Sequence, residues 1–235
     1  MVLQYAEGGN FNNWIKRDGL WMYDLGTLEN IIRGLGCIHE KQMVHRDFHI
    51  GNILLTHQNA SNSCISDMGL CGEVDNVDET KIYGVMPYVA PEVLKGKTYT
   101  QAADIYSFGM IMYFAATGRQ PFSNCAHDHL LALDICRGNR PEINEPEAPK
   151  CYIDLMKKCW NSDPDNRPGV IEVDKLINLF YMSYYGKNRE IQEQFEEAEE
   201  FREVSSSSTI KNNQSTTHPQ AIYTSRLLNL LQKMI

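Results

Sequence analysis

A polar tetrad set between two apolar segments constrains this chain more than any other feature. His45-Arg46-Asp47 is followed five residues later by Asn52. Ahead of the tetrad, Leu28, Ile31, Ile32, Leu35 and Ile38 recur at helical spacing, which predicts a helix over roughly residues 23–40. Behind it, Ile53-Leu54-Leu55 reads as a short strand. A second short strand around Cys64-Ile65 runs into Asp67-Met68-Gly69. The chain must therefore hold an acid, a base and an amide on one loop between a helix and a hairpin, where a rigid scaffold can aim them.

Bulk properties limit what surrounds that loop. The 235 residues suffice for one large domain or two small ones. A content of 43% hydrophobic and 22% charged residues matches an ordinary globular protein. The net charge of −8 opposes nucleic-acid binding, which calls for a basic patch or stripe. Met1-Val2-Leu3-Gln4-Tyr5 has neither the basic flank nor the sustained apolar stretch of a signal peptide. The most apolar run, Ile105 to Ala116, falls well short of the roughly 20 residues of a membrane helix and reads as a helix inside a core. The expectation is a cytoplasmic protein without a membrane partner. The seven cysteines are scattered without a C-x-x-C pair, as in a reduced, thiol-bearing chain. Cys125-Ala126-His127-Asp128-His129 has no partner cluster to complete four zinc ligands, so it reads as a polar loop entering a helix.

From Asp67 to Pro91 the sequence is loop-like. Helical segments then follow to about residue 185, divided by Gly118, Pro121, Pro141, Pro146, Pro149, Pro164 and Pro168. Composition changes after Gly186. Residues 190–203 are strongly acidic, with Ile191, Phe195, Ala198 and Phe201 on a partial stripe, and read as a solvated helix or a helix that meets a protein partner. Ser205-Ser206-Ser207-Ser208 opens a polar stretch expected to be disordered, and the apolar residues 227–235 have no assigned place.

His45-Arg46-Asp47 with Asn52 matches the loop H-R-D-x-x-x-x-N, and Asp67-Met68-Gly69 resembles D-F-G. Ala90-Pro91-Glu92, Asp104-Ile105-Tyr106-Ser107-Phe108-Gly109 and Asp165-Asn166-Arg167-Pro168 follow in order. On these five motifs the chain resembles the eukaryotic protein kinases. Pro87 to Glu92 and Asp104 to Gly109 look most like the tyrosine-kinase-like group, most of whose members act on Ser and Thr. His49 stands where the Ser/Thr loop usually has lysine, and Val85 where its activation segment usually has threonine.

The resemblance implies a protein kinase-like fold (α+β) represented by its mainly α-helical C-lobe. Residues 1–9 would be the last small-lobe strand and hinge, 10–185 the C-lobe, 186–204 an acidic segment and 205–235 a disordered tail. It also implies transfer of the ATP γ-phosphoryl group, with Mg²⁺, to a protein hydroxyl. Asp47 would orient that hydroxyl and accept its proton, with His45 and Arg46 as supports. Asn52 and Asp67 would hold Mg²⁺, Gln4, Tyr5 and Ala6 would form the hinge, and Leu54 would lie under the adenine. Met68 would be an apolar plug beneath the site, and Gly69 would permit a flexible turn. Glu92 and Arg167 would form a buried ion pair, and Asp104 would cap the apolar helix and tie it to the catalytic-loop backbone. Arg46 could bind a phosphate on Thr80 or Tyr83, or serve structure alone.

Neither G-x-G-x-x-G nor V-A-x-K occurs in the chain. In the family these elements grip ATP upstream of a segment matching residues 1–9, so the reading is a truncated domain with little or no activity of its own. A stand-alone scaffold module and a small-molecule phosphotransferase are the alternatives. The segment ending at Glu92 and the late Arg167 oppose the second, because they belong to enzymes that dock a peptide.

Overall fold

The computed structural model describes residues 6–12, 21–56, 63–73, 82–207 and 217–228. Gln4, Tyr5 and Thr80 lie outside these residues, as do the ends of the expected hinge and tail.

A small three-stranded sheet sits at one edge. β1 (Gly9–Asn10) pairs antiparallel with β3 (Ile53–Leu55), which pairs in turn with β4 (Ser63–Ile65). Helix α1 (Trp21–Glu40) brings the apolar face read from the sequence, including Leu28, Ile31, Ile32 and Leu35, into the core. β2 (Met43–Val44) follows α1, just ahead of the His45–Asn52 loop, and pairs antiparallel with β5 (Gly72–Glu73). β6 (Ile82–Gly84) and the short helix α2 (Pro91–Leu94) lead into α3 (Gln101–Thr117).

Residues 103–116 of α3 are all buried, as befits a helix apolar on every side, and it forms the centre of the fold. It ends at Gly118, whose φ of 65° lets its N–H reach Phe114 O at 2.8 Å. The helix begins at Gln101 with Thr100 as its N-cap residue, so Asp104 is not its cap. Thr100 already has the extended backbone that starts the helix, which places Asp104 on the first turn with its carboxylate free to face the loop.

α4 (His129–Cys136), α5 (Lys150–Cys159) and α6 (Val170–Ser183) complete the helical body, with α6 packed along α1. Asp128 caps α4 by accepting from the N–H groups of Leu130 and Leu131, in accord with a polar loop entering a helix. Among the described residues no three or more His, Cys, Asp or Glu side chains cluster as a metal site, all seven cysteines are free, and no described helix is long and apolar enough to cross a membrane.

Two departures from the sequence expectations lie at the end of the chain. The acidic segment is a helix, α7 (Arg189–Ser207), but it is docked rather than solvated. Phe195 and Ala198 are buried, and the Phe195 ring meets Trp21 edge-on at 5.5 Å. Arg202 lies 3.7 Å over the Trp21 ring while its Nη1 donates to Asp24 at 2.9 Å. Phe195 and Ala198 share the docked face while Phe201 is exposed, and that suffices when the partner surface is a fully buried tryptophan. The second departure is that residues 217–228, expected to be disordered, lie along the 121–127 loop and end in β7 (Arg226–Leu228), paired antiparallel with β6. Backbone pairing needs little apolar content, so composition did not reveal it.

Candidate active site

Asp104 organises the loop. Its carboxylate, 2% exposed, accepts from His39 Nε2 at 3.0 Å, the His45 N–H at 2.8 Å and the Arg46 N–H at 3.2 Å. Three donors converging on one buried carboxylate fix the loop backbone to α3 and compensate the charge. Arg46 is held at φ 69°, a left-handed conformation uncommon outside glycine. Such strain persists only where surrounding contacts over-determine the backbone, as the Asp104 bonds do here.

The ring of His45 bridges the loop to the hairpin. Its Nε2 donates to Ser66 O at 3.1 Å while Nδ1 accepts from the Asp47 N–H at 3.3 Å. Asp47 is buried, and Asn52 Nδ2 donates to its main-chain oxygen at 2.9 Å and to Oδ2 at 3.3 Å. The amide nitrogen of Asn52 is thereby committed to Asp47, which leaves its oxygen available as a ligand atom. The Ser66 N–H donates to Asn52 O at 2.8 Å, which ties the residue before Asp67 to Asn52. Asp67 is exposed at φ 57°, with its side chain not capping the turn that follows. An amide oxygen and a carboxylate suit Mg²⁺, which takes one or two protein oxygens and fills the remaining positions with phosphate and water. The residues fit that ion.

His49 stands at Asp47 in the place usually held by lysine. Its Nδ1 accepts from the Gly51 N–H at 3.1 Å, which puts the neutral ring's proton on Nε2, 3.5 Å from Asp47 Oδ1. That separation is long for a hydrogen bond, so the attraction is mainly electrostatic. Burial pushes the Asp47 carboxyl up, but His49 outweighs it, with the Ser225 hydroxyl and His45 adding to the effect. The net result holds Asp47 below the usual carboxylate range.

Remaining site residues fall around this centre. Ala6 is half-buried in the turn before β1, and the register pairs Asn10 with Leu54, itself half-buried. Leu54 therefore lies on the central strand of the small sheet, and Ala6 just ahead of the edge strand β1. Gly69 follows Met68 in a short 3-10 turn, and Met68 is 44% exposed. It is not a plug among the described residues, because the left-handed backbone at Asp67 turns it away from the core. Arg46 Nη2 donates to Glu73 O at 2.7 Å, and Tyr83, on β6, is exposed with its carbonyl accepting from Tyr99 at 2.6 Å.

The family model described as a protein kinase domain matches residues 1–182. The chain belongs to the protein kinase family. It is 32% identical over 192 residues to a probable serine/threonine-protein kinase, roco8, of Dictyostelium discoideum, covering 76% of this chain and 10% of the relative. It is 27% identical over 202 residues to mitogen-activated protein kinase kinase kinase 7 of Drosophila melanogaster, covering 83% and 29%. A dual serine/threonine and tyrosine protein kinase of Pimephales promelas is 30% identical over 161 residues, covering 63% and 17%. The chain thus spans only about a tenth of the first of these relatives and under a third of the others.

The kinase fold explains the late motifs. Arg167 forms a two-pronged pair with Glu92, Nη1 to Oε1 at 2.6 Å and Nη2 to Oε2 at 2.7 Å. Further bonds from Arg167 to Ala102 O and Asn161 O bind α2, α3 and the 161–167 loop together beneath the site. Sequence reading did not assign site roles to His39, His49 and Ser225. His49 had a usable signal, a basic ring two residues from the acid, whereas the approach of Ser225 to Asp47 spans 178 residues and left none.

Proposed function

We propose that this chain supplies the acceptor-facing half of a serine/threonine protein kinase active site, of the tyrosine-kinase-like group. The observation that carries the reading is Asp47, held as a carboxylate by His49 and fixed by Asn52 on a loop anchored to Asp104. Asp47 orients the incoming hydroxyl and takes its proton. His49 keeps the carboxylate charged, in the role lysine commonly fills there. Asn52 and Asp67 would hold Mg²⁺, while Ala6 and Leu54 face the nucleotide edge. Bound Mg-ATP supplies the γ-phosphoryl group, and its transfer depends chiefly on positioning and charge stabilisation. The segment ending at Glu92 and its tie to Arg167 favour a protein acceptor over a small molecule. A phosphate on Thr80 or Tyr83 acting through Arg46 belongs to the same reading.

These 235 residues contain neither a glycine-rich loop nor a V-A-x-K stretch. Fast transfer needs those elements, so the 235 residues alone should label a protein acceptor slowly or not at all. The test uses the longest natural polypeptide that carries this sequence, with Mg-ATP and a serine-containing protein acceptor. Asp47→Asn should lower transfer by about 10²–10⁴-fold. Equal transfer by parent and variant would remove Asp47 from the role. If the natural polypeptide transfers nothing, the scaffold reading replaces this one.

A further inference from the structure

The same helix holds both walls of the space beside Asp47. On the loop side, Asp104 of α3 accepts from the His45 and Arg46 N–H groups. The other wall is the stretch from Tyr83 to Tyr88. Its Val85, Met86 and Pro87 side chains are buried and carry no hydroxyl or amide that could hold it. Two hydroxyls do so instead, from Tyr99 just ahead of α3 and from Ser107 within it. Tyr99 Oη donates to Tyr83 O at 2.6 Å. Ser107 Oγ donates to Tyr88 O at 2.7 Å, in preference to Ala103 O at 3.2 Å. Both residues are buried, so little water competes for either bond. The β6–β7 ladder adds a backbone tie at Ile82–Gly84, while Tyr99 joins β6 to the entry of α3.

The two carbonyls bracket the backbone that borders the acid. Gly84 sits at φ 141°, and a Cβ built on it would lie 3.6 Å from Asp47 Oδ1. Main chain therefore forms this wall, and its place depends on the Tyr83–Gly84 peptide unit that Tyr99 holds. Asp47 Oδ2 accepts from Asn52, whereas Oδ1 is buried with no hydrogen-bond partner among the described residues. The walls meet around a cavity of about 10 Å³ whose lining includes Asp47, Gly84, Tyr88, Tyr99, Asp104 and Ser107. With so little slack, a shift of either wall is felt at Oδ1. Burial, with Asp47 and Asp104 adding to it against a smaller pull from Arg46, raises the Tyr99 pKa, so its hydroxyl stays a donor at any working pH.

We propose that Tyr99 and Ser107 are positioning residues, whose hydroxyls fix the Tyr83–Tyr88 backbone at the distance from Asp47 that the acceptor hydroxyl requires. The proposal rests on the kinase reading of Asp47. Neither residue touches the acceptor. They act through the two carbonyls they hold and through Gly84 between them. A reacting group misplaced by about 1 Å can lose about 10²-fold in rate, which sets the size of effect a slackened wall should have.

Two measurements test this. In the 235-residue chain without nucleotide, Tyr99→Phe should speed deuterium exchange at the Gly84 amide about tenfold, and Ser107→Ala should do the same at the Val89 amide. Each amide shares its peptide unit with a released carbonyl, and unchanged exchange at both would overturn the clamp. The second measurement uses the longest natural polypeptide with Mg-ATP and a serine peptide. Both variants should lower kcat by about 10- to 100-fold and leave KM for Mg-ATP within about twofold of the parent. Val173→Ala, which empties part of a buried site in α6, gives the comparison for lost stability and should keep the parent kcat. An undiminished kcat in both Tyr99→Phe and Ser107→Ala would overturn the proposal and leave the kinase reading standing. A fall in Val173→Ala as large as theirs would do the same, because the effect would then be one of stability. If the parent transfers nothing, the kinase reading falls and the proposal with it.

Discussion

His49 Nε2 lies 3.5 Å from Asp47 Oδ1, and the Gly51 N–H fixes which nitrogen of the ring faces the acid. A small backbone turn thus decides the electrostatics of the proposed base. The Asp47 carboxylate stays charged to a lower pH than an ordinary aspartate, so transfer should persist below the usual carboxylate range. His49→Ala should raise the Asp47 pKa, move the acid limb of the pH–rate profile upward, and slow transfer by about 10- to 100-fold at neutral pH. His49→Lys should restore the limb. An acid limb that stays in place in His49→Ala would separate His49 from the base.

Glu92 and Arg167 are almost wholly removed from water and bonded at both prongs. Arg167→Ala leaves a buried carboxylate without its partner and should cost about 3–5 kcal/mol. Urea unfolding reads this as a shift in midpoint. A change below about 1 kcal/mol would mean that water reaches the vacated site.

Docking of α7 depends on a few side chains. Phe195→Ala should destabilise the fold by about 3–5 kcal/mol through the cavity left against Trp21, Phe180 and Tyr184. Arg202→Ala should cost about 2 kcal/mol, since Asp24 and the Ala116 carbonyl lose a charged donor. Val204→Ser, on the exposed side, should change stability by less than about 0.5 kcal/mol. Equal effects at all three positions would contradict a one-sided contact.

Docking of residues 217–228 along the 121–127 loop should respond to pH through His127. Burial holds its imidazole below the ordinary value of 6.5, with Arg226 and His218 adding to this, although the carbonyls of Ile222 and Phe122 pull the other way. An undocked ring takes its proton near 6.5 and the docked ring only at lower pH, so docking is complete above 6.5 and weakens as the pH falls towards the docked value. Deuterium exchange at Ile82–Gly84, corrected for intrinsic rates, should show protection falling between about pH 7.5 and 5.5. His127→Gln should remove that dependence. A parent protein with the same protection at both ends would exclude His127 as its source.

Motif order and apolar periodicity by themselves determined the family, the helical body and the place of the His45–Asn52 loop. They succeeded because local rules govern those features. Helical spacing buries one face of α1, an apolar run makes α3 central, and H-R-D-x-x-x-x-N sets acid and amide on one turn. Tertiary structure alone decided the rest. The separation of His49 from Asp47 depends on a ring rotated by one backbone N–H, and the exposure of Met68 on a left-handed Asp67. Packing of Phe195 depends on where Trp21 lies, and the pairing of β7 with β6 joins segments more than 140 residues apart. Composition carries no trace of such pairings, because a backbone ladder can form between almost any residues once the fold brings two edges together.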